Sequence, residues 1–270
     1  TDWAPLMGVI PPTSSEDWLS LFEKYKKTSE FVLQNSSMTL NEFKYIFWWE
    51  WGHRQFGRLI GLVWFFGFIW LNCISRLPRS LFGSFLILGI VGFFQAFIGW
   101  WMVKSGLDPD ETMLDVASYR LAIHLSLALL IFSMIYLLIR LNSIWTYQLF
   151  EKRNMQKSSL EEKLTNVLLL GFFVQVFFGA LVSGIDAGKS YTDWPLMNGA
   201  IIPEDIFYLA PAYANFWENP ALVQFNHRFL GYLLFILGAT LWIRKMVKVN
   251  SSPGQNIDYH LLFGFLLAQM

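Results

Sequence analysis

The feature that most constrains this chain is a series of long apolar stretches. The stretch at 81–103 contains no charged residue, and a helix that crosses a bilayer needs about 20 mostly apolar residues. The full set of predicted spans is about 47–74, 81–103, 117–139, 164–185 and 220–243, with a sixth that begins near Tyr259. The expected fold is therefore all-α, a polytopic membrane helix bundle in contact with lipid.

Composition agrees with a membrane protein. Charged residues make up 15% of the chain and hydrophobic residues 54%, whereas a soluble domain carries about 25% charged residues. The net charge of zero gives no reason to expect a nucleic acid partner. The single cysteine, Cys73, excludes an internal disulfide within this sequence.

Loop charges predict the orientation in the membrane. The loops at 75–80 and 140–163 and the segment after 243 are basic, whereas the loop at 104–116 is acidic and the loop at 186–220 has a single basic residue, Lys189. Basic loops stay on the cytoplasmic or matrix side. We therefore expect a bacterial or mitochondrial inner membrane protein whose acidic loops and first segment face outward. Residues 14–34 predict an amphipathic helix, either on the membrane surface or solvated.

An internal repeat divides the chain. Thr1–Pro12 reads TDWAPLMGVIPP and Thr192–Pro203 reads TDWPLMNGAIIP, and each precedes a span with a similar opening, EWGHR at 50–54 and QFNHR at 224–228. A weaker echo pairs Gln95-x3-Gly99 with Gln175-x3-Gly179. The repeat predicts two related half-bundles, at 1–140 and 164–270, joined by an inward-facing linker at 141–163. Matching four-helix halves would need one helix before Thr1 and a completed third and a fourth helix after Met270.

Three histidines lie inside the predicted spans. His53, His124 and His227 each follow the outer start of a span by six or seven residues, which is about 10 Å along a helix. Titratable groups inside a membrane helix indicate a functional site. Neutral imidazole is an axial ligand of heme iron, and facing helices can place two imidazoles on one heme. We predict heme ligands in one outward layer, the alternative being hydrogen-bonded core histidines, and no ligand role for His260.

Charged residues near these histidines suggest what the site does. Four arginines are candidate partners of heme propionates, with snorkelling to the outer surface as the alternative: Arg54, Arg58, Arg120 and Arg228. Glu50 lies three residues before His53, where the second repeat has Gln224. A carboxylate beside a heme can accept a proton or act as a nucleophile and a carboxamide cannot. The asymmetry predicts a reactive first half and a redox relay in the second, unless Glu50 only pairs with Arg54.

Five segments together resemble the heme A synthase family, in its mitochondrial and alphaproteobacterial branch. They are EWGHRQFGRLIG (50–61), QAFIGWWMVKSGL (95–107), YRLAIH (119–124), the GIDAG…DWPLM run (184–197) and ENPALVQFNHR (218–228). The resemblance covers almost the whole chain. The cysteine pair that some other bacterial members carry in an outer loop is absent from this sequence.

The resemblance implies an eight-helix enzyme in two four-helix halves. Such an enzyme oxidises the C8 methyl of heme O through a hydroxymethyl intermediate to a formyl group, which gives heme A for cytochrome c oxidase. By the same resemblance, His53 and His124 hold the substrate heme and Glu50 is the catalytic carboxylate. His227 ligates the iron of a heme b cofactor, whose second ligand belongs to an eighth helix outside this sequence.

Partners follow from the family by analogy, and other functions stay open. Heme O synthase and cytochrome oxidase assembly factors are expected partners, a homo-oligomer is compatible with the aromatic surfaces, and no motif identifies the electron acceptor. One alternative is a cytochrome b-type electron-transfer protein, which would not need Glu50. A second alternative is a transporter built from repeats, with no cofactor. That alternative predicts helices interrupted by Gly or Pro at mid-membrane.

Overall fold

A computed structural model describes residues 7–74, 77–105, 116–142, 159–247 and 253–269. Over these residues the chain is helical and forms no β-strand. It separates into two compact units, Thr1–Leu138 and Ile139–Met270. Residues 1–6 of the first repeat, the acidic residues of the 104–116 loop and most of the expected linker fall outside the described residues.

Nine α-helices follow one another along the described chain. They are α1 Ser15–Tyr25, α2 Ser29–Leu33, α3 Leu40–Cys73, α4 Arg79–Ser105, α5 Ser118–Asn142, α6 Leu160–Gly184, α7 Asn215–Glu218, α8 Pro220–Val247 and α9 Pro253–Ala268. Helices α3, α4, α5, α6 and α8 are long and apolar enough to cross a membrane. The predicted all-α membrane bundle is confirmed.

Side-chain caps fix where three helices begin. The side chains of Ser14, Thr39 and Ser159 each accept a hydrogen bond from the backbone N–H three residues later. The acidic side chain at that later position accepts the backbone N–H of the cap residue. Each pair satisfies donors that a helix start leaves unpaired. The starts of α1, α3 and α6 are therefore encoded locally.

Helix α3 begins at Leu40, about two turns before the membrane span predicted at 47–74. Its first two turns pack on α1 through an aromatic cluster, in which Phe43 is 1% exposed and stacks on Tyr25 at 5.2 Å between ring centroids. Phe47 meets Trp18 edge-on at 4.9 Å. Burial of these rings at and before residue 47 stabilises the part of the helix that precedes the predicted span.

The prediction of a single helix at 14–34 was wrong, because this segment forms two helices, α1 and α2. Thr28 ends α1 and begins α2: its hydroxyl donates to the Tyr25 carbonyl at 2.7 Å and accepts the Phe31 N–H at 3.3 Å. A side chain that bonds the backbone on both sides favours a break over a continuous helix.

The second unit is built on the contact between α6 and α8. Leu168, Leu234 and Leu241 form its buried core. Gly171 has no side chain to obstruct Leu234, whose methyl group lies where a Cβ would stand. Small residues at a membrane helix contact let the backbones approach closely.

A folded segment, predicted from the loop charges to face outward, connects α6 to α8. Asn215 and Asn219 are fully buried and bonded to each other at 2.9 Å. The Asn219 side-chain oxygen also accepts the Ala221 N–H at 2.8 Å, and Pro220 is the first residue of α8. An Asn cap followed by Pro is a favoured helix start, so this segment sets the position of α8.

Candidate functional site

The first unit brings His53 of α3 and His124 of α5 together. Their ring centroids are 6.4 Å apart and their planes are 86° from parallel. With metal–nitrogen bonds of about 2 Å, and each nitrogen about 1.1 Å from its ring centre, two imidazoles on opposite sides of one metal ion have centroids ~6 Å apart. The observed separation therefore fits two axial ligands of one heme iron.

The polar atoms of His124 support a ligand role. Its Nδ1 is buried and has no hydrogen-bond partner among the described residues. Buried polar atoms are nearly always paired, so at this nitrogen the described polypeptide leaves a hydrogen-bonding or ligand-binding capacity unfilled. The donor set of two neutral imidazoles fits heme iron.

The face of α3 around His53 is open. Gly57 and Gly61 follow His53 by one and two helical turns, and a Cβ added at either would meet no atom within 4 Å. Residues four apart share a helix face. A flat ligand held by His53 can therefore lie close to the α3 backbone.

Glu50 lies one turn before His53 and is paired with Arg54. The Arg54 Nη1 is 3.2 Å from the Glu50 Oε2, and the Glu50 side chain is half exposed. A helical pair of this kind contributes only about 0.3–0.5 kcal/mol. The carboxylate thus lies on the His53 face of α3 and is accessible, and the ion pair considered as the structural alternative is present as well.

In the second unit, His227 of α8 packs against α6. The Gln175 Nε2 donates to the His227 carbonyl at 3.1 Å and lies 3.2 Å from its Nδ1. The other described histidine of this unit, His260, accepts a hydrogen bond from the Trp242 Nε1 at 3.0 Å. The structure therefore does not bring a second histidine to His227 within the described residues of this unit.

The three arginines of the first unit that were predicted to pair with propionates all have protein partners. Arg58 donates to the Gly8 carbonyl at 3.3 Å. Arg120 donates to the Trp101 carbonyl at 2.9 Å and lies over the Trp101 ring. Together with the pair between Arg54 and Glu50, these contacts give each guanidinium a protein partner, and pairing with propionates stays a prediction.

Arg228 fastens the second repeated segment to α8. Its guanidinium donates to the carbonyls of Tyr191, Asp193 and Leu196 at 2.8–3.0 Å. Gln224 donates to the Tyr191 carbonyl at 3.0 Å. The residues on either side of His227 thus hold the DWPLM segment over this end of the helix, a role that the sequence analysis missed although the repeat of that segment was visible.

The fastened segment has its own internal bonds. The Asp193 carboxylate accepts the Asn198 and Gly199 N–H groups at 2.9 and 3.0 Å, and these bonds lower its pKa below the usual value. Gly199 has a φ of +77°, a conformation that glycine adopts without strain. Burial raises the pKa of Tyr191 to about 12, and its hydroxyl donates to Asp205.

Comparison with known proteins gives a consistent result. The family model COX15-CtaA, described as "Cytochrome oxidase assembly protein", matches residues 1–270. A protein of Dinoroseobacter shibae named "Heme A synthase" is 46% identical over 266 residues, which is 98% of this chain and 69% of that protein.

Two further relatives carry the same name. The protein of a Ruegeria species is 46% identical over 270 residues, 100% of this chain and 70% of its own length. The protein of Paracoccus denitrificans is 45% identical over 244 residues, 90% of this chain and 63% of its own length. No solved structure matches the chain.

Proposed function

Because the chain belongs to the COX15-CtaA family of cytochrome oxidase assembly proteins, we propose that it is a heme A synthase, an oxidoreductase that converts heme O to heme A. Relatives of that name match it at 46% identity over nearly its whole length. The observation that carries the proposal is the pair of His53 and His124 at a separation suited to one heme iron, with a carboxylate one turn away.

In the first unit, His53 and His124 bind the iron of the substrate, heme O, from its two faces. Oxidation of the C8 methyl to hydroxymethyl requires an oxygen atom, for which water is the proposed source, and releases two electrons and two protons; oxidation of hydroxymethyl to formyl releases two more of each. Glu50 is proposed to accept a proton in these steps, and the electrons must pass to an acceptor outside this chain. The half-exposed side chain of Glu50 and its place on an open helix face support that role. Arg54 and Arg58 are proposed to pair with propionates.

In the second unit, His227 is proposed as a ligand of heme b, with a second ligand outside the described residues. A bound heme b supplies one-electron transfer. Gln224 replaces Glu50 in this half, donates to the Tyr191 carbonyl and cannot accept a proton as a carboxylate does. Arg228 holds the outer segment over the same end of α8, which supports exclusion of water.

The protein is an integral membrane protein with five spanning helices among its described residues. From the loop charges we propose that the histidines lie near the periplasmic or intermembrane-space side. Heme A is proposed to pass to cytochrome c oxidase and its assembly factors, and heme O to come from heme O synthase.

The test is heme extraction and chromatography from cells that co-express heme O synthase with the complete protein. We expect heme A with the wild type. Glu50→Gln should retain bound heme but lower the heme A yield by at least ~100-fold, because general base catalysis contributes about 10²–10⁴-fold, and should accumulate heme O or the hydroxymethyl product. Glu23→Gln, which removes another carboxylate from an exposed ion pair with Lys26, should keep full activity.

The pair between Glu50 and Arg54 favours the second candidate, a cytochrome b-type electron-transfer protein. In that case Glu50 is only a structural partner of Arg54. The wild type would then bind heme and form no heme A, and Glu50→Gln and Arg54→Gln would change heme retention to the same extent.

A further inference from the structure

Two histidines of this chain rest on the same arrangement of glutamine and glycine. In the first unit, Gln95 and Gly99 of α4 lie against His124. In the second unit, Gln175 and Gly179 of α6 lie against His227. We name these two arrangements the histidine seats. Each seat is built on the membrane-length helix that comes before the histidine-bearing helix in the described sequence.

The glutamine of each seat holds the histidine by its backbone and borders its ring. The Gln95 Nε2 donates to the His124 carbonyl at 3.0 Å and is 3.4 Å from the His124 Nε2. The Gln175 Nε2 donates to the His227 carbonyl at 3.1 Å and is 3.2 Å from the His227 Nδ1. The same donor therefore fixes the backbone position at each histidine.

The glycine of each seat leaves room for the imidazole ring. A Cβ added at Gly99 would stand 2.8 Å from the His124 Cε1, and one at Gly179 would stand 3.1 Å from the His227 Cε1. Both distances are shorter than ordinary van der Waals contact. Each ring thus lies directly on the backbone of the neighbouring helix.

Each seat also contains an unfilled acceptor. The Oε1 atoms of Gln95 and Gln175 are buried and have no hydrogen-bond partner among the described residues. A neutral imidazole that binds iron by one nitrogen carries its proton on the other and needs an acceptor for it. The unfilled Oε1 belongs to the same carboxamide that already borders the ring.

The two seats do not occupy equivalent positions of the internal repeat. His227 lies 174 residues after His53, and Gln269 lies 174 residues after Gln95. Helix α3 ends at Cys73 and α8 ends at Val247, again 174 residues apart. Gln175 is therefore not the repeat counterpart of Gln95, and alignment of the two halves does not account for the recurrence of the seat.

We propose that Gln95 and Gln175 are positioning residues for heme ligation by His124 and His227. In the loaded protein, the ring and the carboxamide turn so that the Oε1, rather than the Nε2, faces the ring nitrogen. The Oε1 then accepts the ring N–H of its histidine, which sets the plane of the imidazole and strengthens its donation to iron. The inference rests on the proposed function, since it requires that these histidines bind heme.

The experiment uses the complete protein made in a host without heme O synthase, so that heme b is the heme supplied. Gln175→Met keeps the length of the side chain and suits an apolar helix, but it removes donor and acceptor. Loss of the acceptor weakens the imidazole as a ligand of ferric iron. We expect an about tenfold shift in relative ferric affinity, which is a rise in midpoint potential of about 59 mV for one electron.

Gln175→Glu supplies a stronger acceptor and should shift the midpoint potential in the opposite direction while preserving the ligand orientation. The electron paramagnetic resonance g-values report that orientation, and they should change in Gln175→Met and return towards wild type in Gln175→Glu. Thr240→Val removes a hydroxyl that bonds only within α8 and should change neither quantity.

The outcomes separate the two proposals. If the wild type binds no heme, the proposed function fails. If heme is bound, and its potential and g-values are the same in wild type, Gln175→Met and Gln175→Glu, the positioning role is wrong while heme binding stands.

Discussion

At the scale of single residues, the membrane determines which polar groups must find partners. The Trp64 indole donates to the Phe85 carbonyl at 3.0 Å, and the Ser133 hydroxyl donates to the Leu129 carbonyl at 2.9 Å. Each donor forms its hydrogen bond with a backbone carbonyl, because a polar group in the hydrocarbon region has no water to bond. The His124 Nδ1 and the Gln95 Oε1 differ, because no described residue pairs with them. Their partners are proposed to form only when heme is bound.

Gly99 offers a direct test of the first histidine seat. Gly99→Ala places a methyl group 2.8 Å from the His124 Cε1, so the ring must move away from its place on α4. We expect heme affinity at the first site to fall by about tenfold or more, as for loss of a group that orients a ligand. The measurement is titration of the apoprotein with heme, followed by the Soret band.

Gly92→Ala is the matched control on the same helix. A Cβ at Gly92 would meet nothing within 4 Å, and alanine stabilises a helix by about 1 kcal/mol relative to glycine. This variant should bind heme as the wild type does. Equal affinity of the two alanine variants would contradict the close packing of His124 on α4.

The sequence predicted some of these residues and not others, for physical reasons. The approach of Glu50 to Arg54 follows from helical spacing alone, since residues four apart share a face. The partners of Gln95 and Arg228 do not follow, because they lie on another helix and on an outer segment, and periodicity does not say which elements are neighbours. The echo of Gln95-x3-Gly99 was visible, but its meaning required the contact with His124.

At the scale of elements, the start of α3 shows that an apolar stretch alone does not mark where a helix begins. The span predicted from hydrophobicity began near residue 47, whereas aromatic burial on α1 moves the start of α3 to Leu40. Thr39 and Glu42 form a capping box that marks this start in the sequence. Local capping signals were thus the better guide to the boundary, since they act on the backbone wherever the membrane lies.

The pH dependence of the segment at 191–200 follows from Asp193. Its pKa is lowered in the folded segment by the Asn198 and Gly199 N–H groups, so the bonds stabilise the segment above the unfolded pKa near 3.8. That stability is lost as the pH falls through the lowered folded value. We expect pepsin cleavage at 192–203 to increase steeply below about pH 4, measured by mass spectrometry against a reference peptide.

Two variants sharpen this test of Asp193. Asp193→Asn retains one side-chain oxygen and no charge, and it should be cleaved similarly across the same pH range. Asp186→Asn removes an exposed carboxylate that pairs with Lys189 outside the segment, and it should behave as the wild type. A wild-type cleavage rate that does not change with pH would show that the Asp193 bonds do not stabilise the segment.

At the scale of the whole molecule, the alternation of basic and acidic loops predicts a direction for every span. Helix α3 runs from the outward segment to the basic loop at 75–80, so Cys73 at its end is expected on the cytoplasmic or matrix side. The proposed chemistry depends on this direction, because it places His53, near the other end of the membrane-length stretch, towards the outer face. The orientation is thus a premise of the site and not only a detail of topology.

Cys73 makes the orientation measurable, because it is the one cysteine of this sequence and it is exposed. A membrane-impermeant maleimide should leave Cys73 unlabelled in right-side-out vesicles and label it in inverted ones. Cys73→Ser should abolish that label, and Ser190→Cys in the same background, on the exposed outer segment of the second unit, should show the reverse pattern. Labelling of Cys73 from the outside would invert the proposed topology and place the histidines at the cytoplasmic or matrix face.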